Sequence, residues 1–297
     1  TSTVPPCPSL AATVNVAVFG DLGEKLTDFD VLLKGGQHMQ LGSVLAQKGL
    51  QVNDGRVEVR VTSPGGKVTA YASVLDNRTN DSLLVTPVSL NEVGNTKFVL
   101  PGVAELSGGI PWQTDARLFN ASDATVNAQL TLQPLNGSEA LRANVTLAPR
   151  EVKQFDRILS TLFGVTNDGG ALHIATETNA NLIATARTYR PDGTGGSFGQ
   201  FISAVTPNEA IAVGSRPLQI LQVEESVRYR SNIGLAEVTG QAVMVEVTAI
   251  PPDAKSSSRI RVPMAANQFR QLNSLLKQMG LDDTHNARVS VRVVDGQ

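Results

Sequence analysis

The sequence predicts an all-β protein: three tandem immunoglobulin-like β-sandwich modules, each with one short helix, the first and last of them incomplete. Three observations lead there. Val, Thr, Ala, Asn and Gly abound while aromatics are only 4%, a composition of short strands and turns. The phrase QLGSVLAQKGL at 40–50 returns as QLNSLLKQMGL at 271–281, with Gln, Leu, Ser, Leu, Gln, Gly and Leu in register. A looser copy, QFDRILSTLFGV at 154–165, lies between them, so the period is about one small domain. A catalytic site is needed once, whereas a plug that closes a small domain is needed once per domain.

Each copy of the phrase spaces its apolar residues as a helix does. Leu41, Val44 and Leu45, then Phe155, Ile158 and Leu159, then Leu272, Leu275 and Leu276 stand at i, i+3, i+4, and the runs stop at Gly49, Gly164 and Gly280. Helices are therefore expected at 41–48, 155–163 and 272–279, plugging equivalent ends of three sandwiches and burying Leu45, Leu159 and Leu276. Alternating strands follow: RVEVRV at 56–61, ALHIAT at 171–176 and RVSVRV at 288–293. Earlier in each unit, TVNVAVFG at 13–20 matches TVNAQLTL at 125–132 and, more loosely, AVMVEVTA at 242–249.

The middle unit shows what a complete module holds, with WQTDARLFN at 112–120 opening it and NLIATARTY and FGQFISAV closing it. The third has the opening strand, YRSNIGLAE at 229–237, and no counterpart of the closing segment KVTAYASVLDNRTNDSLLVTPV at 67–88. The first has that closing segment and lacks the opening strand. The modules divide as 1–90, 91–208 and 209–297, with polar seams at 88–97 and 206–217. Either the chain is a window on a longer array, or neighbouring chains complete one another by strand exchange. Exchange would involve residues 1–12 or the early strands of the first module, with Thr13, Val14, Val16, Val289, Val291 and Val293 as candidate interface residues. About seven short strands per unit of roughly 100 residues suit a sandwich, and the absence of a Cys–Trp–Cys pattern sets it apart from antibody domains.

Composition narrows the function. A net charge of −2, with no basic cluster interleaved with aromatics, gives a nucleic-acid groove no electrostatic basis. No apolar run reaches the roughly 18 residues of a membrane helix. The start, TSTVPPCPSL, reads as that of a processed or excised piece, and its Cys7 as a linker cysteine or an intermolecular disulfide partner.

Motifs with chemical content are few. GGSFG at 195–199 fits G-x-S-x-G, but Ser197 lies in a glycine-rich turn that leads into a strand, and His38, His173 and His285 fall one per module, so no nucleophile with its base is expected. His173 alternates with Leu172 and Ile174 and is expected on the surface. DNRTND at 76–81 offers Asp76, Asn77, Asn80 and Asp81 as a weak calcium candidate, since polar turn residues occur without any ion. Trp112 and Tyr229 begin their opening strands and are expected to pack against a sheet rather than a sugar. N-x-S/T triplets at Asn77, Asn80, Asn120, Asn136 and Asn144 predict surface positions at most. No cofactor is implied.

The phrases DARLFNAS, LAPREVKQFDRIL, GGALHIAT and ARTYRPDGTGGSFGQFI resemble the tandem β-sandwich repeats of large bacterial secreted and cell-surface proteins. The resemblance covers nearly the whole chain and brings no catalytic residues. It implies a non-catalytic structural protein of the cell exterior, a stalk or filament whose partners are copies of itself head to tail or further modules. The alternative is a glycan- or protein-binding accessory module.

Overall fold

The computed structural model describes residues 11–52, 54–89, 95–177, 181–253 and 255–296; Cys7 and residues 1–10 lie outside them. In the first module β1 (Ala12–Phe19) runs antiparallel between β2 (Lys25–Leu33) and β3 (Arg56–Val61), with α1 (Val44–Gln47) in the β2–β3 connection. A hairpin of β4 (Ala72–Leu75) and β5 (Ser82–Val85) follows. The second module contains β6 (Lys97–Glu105), β7 (Gln113–Asn120), β8 (Val126–Pro134), β9 (Leu141–Leu147), β10 (Val152–Phe155), α2 (Ile158–Phe163), β11 (Asp168–Thr176), β12 (Leu182–Pro191) and β13 (Ser197–Ser203). Its two sheets, ordered β6-β11-β8-β9 and β10-β7-β12-β13, face each other across one apolar core. The third has β14 (Leu218–Glu225), β15 (Ile233–Ala236), β16 (Val243–Ile250), β17 (Ser258–Met264), β18 (Phe269–Leu272), α3 (Leu275–Gln278) and β19 (Thr284–Gly296). Here a full sheet, β14-β19-β16-β17, faces, among the described residues, only the pair β15-β18. The protein is an all-β, sandwich-type fold.

Alternation explains these faces. Val126, Ala128, Leu130 and Leu132 of β8 are buried while Asn127 and Gln129 between them are exposed. Leu118, Leu130, Leu159 and Leu172 are wholly buried, and each contributes about 1.5–3 kcal/mol by leaving water.

The plugs are one device used three times. Ser43, Arg157 and Ser274 precede the helices in the left-handed conformation, at φ 47, 50 and 46°. Gly49, Gly164 and Gly280 end them at φ 67, 70 and 72°. The next residue, Leu50, Val165 or Leu281, donates its N–H back to the carbonyl of Leu45, Leu159 or Leu276, at 2.9 Å in each case. The helices are shorter than 41–48, 155–163 and 272–279, because the left-handed residue interrupts the run after Leu41, Phe155 and Leu272. Phe155 and Leu272 instead end strands β10 and β18.

Strand pairing corrects one alignment. Ala12 faces Leu33 as Val126 faces Leu147 and Val243 faces Met264, so β1 is displaced by two residues from the match of 13–20 with 125–132. A shift of two preserves the inward face, which is why the pattern alone did not reveal it.

Leu159 and Leu276 are buried as expected; Leu45 is not, at 37% exposure. The difference lies in the neighbouring strands. In the second module β7 pairs with β10, just ahead of the plug, and in the third β15 pairs with β18. No strand of that kind accompanies residues 37–42 among those described. The six candidate interface residues are also placed differently. Thr13, Val14 and Val16 lie on β1, and Val289, Val291 and Val293 on β19, both interior strands of their sheets, with Val293 paired to β16 alone beyond the last β14 pair, and Val14, Val16, Val289 and Val291 belong to the cores. The open edges are elsewhere.

Candidate functional site

Where one module meets the next, charged and polar side chains hold the joint. The β1–β2 turn reaches the second module: the Val152 N–H donates to the Asp21 carbonyl at 3.0 Å, and Gln154 Nε2 to Asp21 Oδ2 at 3.3 Å. The Arg56 guanidinium lies between two rings, 3.7 Å from the centre of Phe19 and 4.4 Å from that of Phe119, and burial pushes its pKa down. Beside it Arg117 bridges Asp54 of the first module and Asp156 of the second. Burial works against its charge, but the two carboxylates outweigh that and raise its pKa.

A second contact joins the tip of the β4–β5 hairpin to that of β12–β13. Asp76 Oδ2 accepts from both the N–H and the Oγ of Ser197, at 2.8 and 2.9 Å. Asp81 accepts from the Gly199 N–H, Thr79 Oγ1 donates to the Ser197 carbonyl, and Arg78 donates to the Thr194 carbonyl. The Arg78 N–H and the Ser197 hydroxyl hold Asp76 well below the usual carboxylate range, at about 2. Thus Asp76 of the calcium candidate gives Oδ1 to the Arg78 and Thr79 N–H groups of its own turn and Oδ2 to Ser197, Asp81 gives Oδ2 to Gly199 across the contact, and Asn80 adopts φ 57° in the turn. Among the described residues no group of three His, Cys, Asp or Glu side chains is placed to hold a metal ion. Ser197 is buried at the start of β13, and its Oγ also accepts from Arg187 Nη2 at 2.7 Å. His38 stacks on Tyr71, and His285 Nδ1 lies 2.9 Å from Glu224, so neither ring approaches Ser197.

The second joint overturns the expectation for His173. Its side chain points away from the core of its own module but is half-buried beneath the third, where Nε2 donates to the Asn267 carbonyl at 3.1 Å. Burial lowers its pKa. Phe269 packs against Val99 and Ala171 in the same contact.

Equivalent positions show how the first and third modules differ from the second among the described residues. Arg157 N–H donates to Asp115 as Ser274 N–H donates to Asn232, both at 2.9 Å, which matches β15 to β7 residue by residue and Tyr229 to Trp112. Trp112 is half-buried and bridged to Leu106. Tyr229, expected to pack, is exposed beside Arg228, and among the described residues no strand borders β15 as β12 borders β7. Asn120 was expected at the surface and is fully buried: its Nδ2 donates to the carbonyls of Ala124, Leu147 and Ala148, and its Oδ1 accepts from Ser122. Its counterpart Glu237 does the same work with its carboxylate, accepting from Thr239, Gly240, Gln241 and Asn267 N–H groups.

The main difference is on β14. Its Leu218 and Ile220 face Val291 and Val289 as Phe98 and Leu100 of β6 face Ile174 and Leu172. Phe98 and Leu100 are 5% and 0% exposed, under β12 and β13; Leu218 and Ile220 are 46% and 37% exposed. On the first module, residues 68–75 repeat the alternation of β12, Val68, Ala70, Ala72 and Val74 standing for Leu182, Ala184, Ala186 and Thr188. The pairing of Ala72 with Val85 matches that of Ala186 with Ile202. Their edge away from β5 is unpaired among the described residues, and only four of them form a strand. A shallow groove on the second module is lined by Ala128, Val145 and Ala175 together with Asn127, Gln129 and Thr146.

These features define an all-β, sandwich-type protein whose sheets meet at specific joints. No family model matches the chain, and no curated protein matches it. Among solved structures it is similar to "Crystal Structure of Thermotoga maritima 1070", with a TM-score of 0.30 and 12% identity over 37% of this chain and 93% of that one. A likeness of that size supports no reading of fold or function.

Proposed function

We propose that this is a non-catalytic structural repeat protein of the bacterial cell exterior, which supplies length as a stalk or filament through head-to-tail assembly. The observation that carries the reading is the pair of complementary open sides: a β12-type segment with a free edge in the first module, and an uncovered bed for such a segment in the third. The joints support it, since Arg56 between two phenyl rings, Asp76 on Ser197 and His173 on Asn267 fix the modules to one another. The resemblance of the strand phrases to tandem β-sandwich repeats of large secreted and surface proteins supports both the role and the location. Negative-stain images of the purified chain at rising concentration test it. Lengthening rods are expected, and particles that stay single at every concentration would contradict it.

A further inference from the structure

We propose that the segment Val68–Val88 of a second copy of this chain occupies the β12–β13 place of the third module, adding its β4 edge to β15. This rests on the head-to-tail reading and names the surfaces that perform it. In the second module the bed of β6 is closed by a hairpin whose first strand, β12, pairs with β7. The third module holds the bed, Leu218 and Ile220 on β14, and the β7-type strand β15, paired only with β18 among the described residues. The first module carries a hairpin of the required type with its β7-facing edge free. An unpaired strand edge beside uncovered leucine and isoleucine is a site for strand addition.

The second module also supplies the register. There Leu182, Ala184, Ala186 and Thr188 face Asn120, Leu118, Ala116 and Thr114. Transferred to the equivalent positions, Val68 faces Glu237, Ala70 faces Leu235, Ala72 faces Ile233 and Val74 faces Ser231, and Val68 leaves the core of its own module on joining. Every second residue of the incoming strand is then apolar and inward, as the pleat requires. Val74, now 51% exposed, and Ile220 come under cover together. Donor and acceptor surfaces differ, so the contact is heterologous and each copy added leaves one of each free.

The test uses two full-length variants whose changed residues are exposed in the lone chain: Ile220→Lys, which places a charge in the acceptor bed, and Val74→Lys, which places one on the donor strand. Sedimentation velocity is run under reducing conditions, so that Cys7 takes no part, with circular dichroism to establish folding. Each variant alone is expected to sediment as a folded monomer. An equimolar mixture is expected to form a dimer and stop there, because the intact donor of one meets the intact acceptor of the other. If both variants assemble as the unmodified chain does, or if the mixture stays monomeric, these surfaces are not the contact, although self-assembly itself would stand. An unmodified chain that remains monomeric at every concentration overturns both.

Discussion

Replacing Leu159 with Ala cuts a side chain that is wholly buried beneath the plug of the second module. Removing about three carbons forfeits roughly 2–2.5 kcal/mol of transfer free energy at about 0.8 kcal/mol each. The cavity left between α2 and the two sheets brings the cost to about 3–5 kcal/mol. Leu276 is equally buried in the third module and should cost the same there. Leu45 occupies the same position in the first module but is 37% exposed, so its truncation opens no closed cavity and should cost about 1 kcal/mol or less. Trp112 is the single tryptophan and reports the second module, so its fluorescence in urea should show an earlier midpoint for Leu159→Ala and an unchanged one for the other two. Hydrogen exchange by mass spectrometry reads the first and third modules. A loss at Leu45 as large as that at Leu159 would refute the argument that the plug is exposed for want, among the described residues, of a strand such as β7 beside it.

Arg56→Ala should loosen the joint between the first two modules by about 1–2 kcal/mol, seen as faster cleavage in limited proteolysis near Asp54; an unchanged pattern would count against the ring sandwich. Glu237→Ala leaves four N–H groups without their carboxylate and should lower the stability of the third module by roughly 1–3 kcal/mol, read as increased exchange at 237–241 and 267. Asp76 titrates lower folded than unfolded, so its contribution is present above the ordinary carboxylate range and is lost as pH falls from about 4 through about 2. Exchange at 72–85 should therefore rise over that interval, and Asp76→Asn should remove the pH dependence. His173 is also depressed, so the unfolded chain binds the proton more readily and the second joint weakens as pH falls below about 6.5; a rise in melting temperature on acidification through that region would contradict this. A fluorophosphonate probe should leave Ser197 unlabelled, because its Oγ is buried and already bonded to Asp76 and Arg187.

The plugs were legible because helix spacing and a terminal glycine leave a local signature, and the inward face of β8 because alternation does the same. What the chain does with its unpaired edges was harder to read. Val14 and Val289 look like strand material anywhere, and whether such a strand is interior or exposed depends on pairing over long sequence distances, which periodicity does not encode. The same holds for polar residues. His173 and Asn120 have the outward or turn placement their neighbours suggest, yet one lies under the next module and the other organises the turn after β7 from within. The open bed at Leu218 and Ile220 had a signal in the sequence, since their counterparts Phe98 and Leu100 are equally apolar. It becomes informative only when one pair is seen to be covered by strands and the other, among the described residues, to stand exposed.

The most direct measurement of head-to-tail completion is hydrogen exchange on the unmodified chain as its concentration is raised. Completion predicts that protection appears together at 68–75 and at 233–236, while the β8 and β11 amides, already paired on both sides, keep the same rates. Exchange at both segments that stays independent of concentration, in a sample that demonstrably assembles, would contradict it.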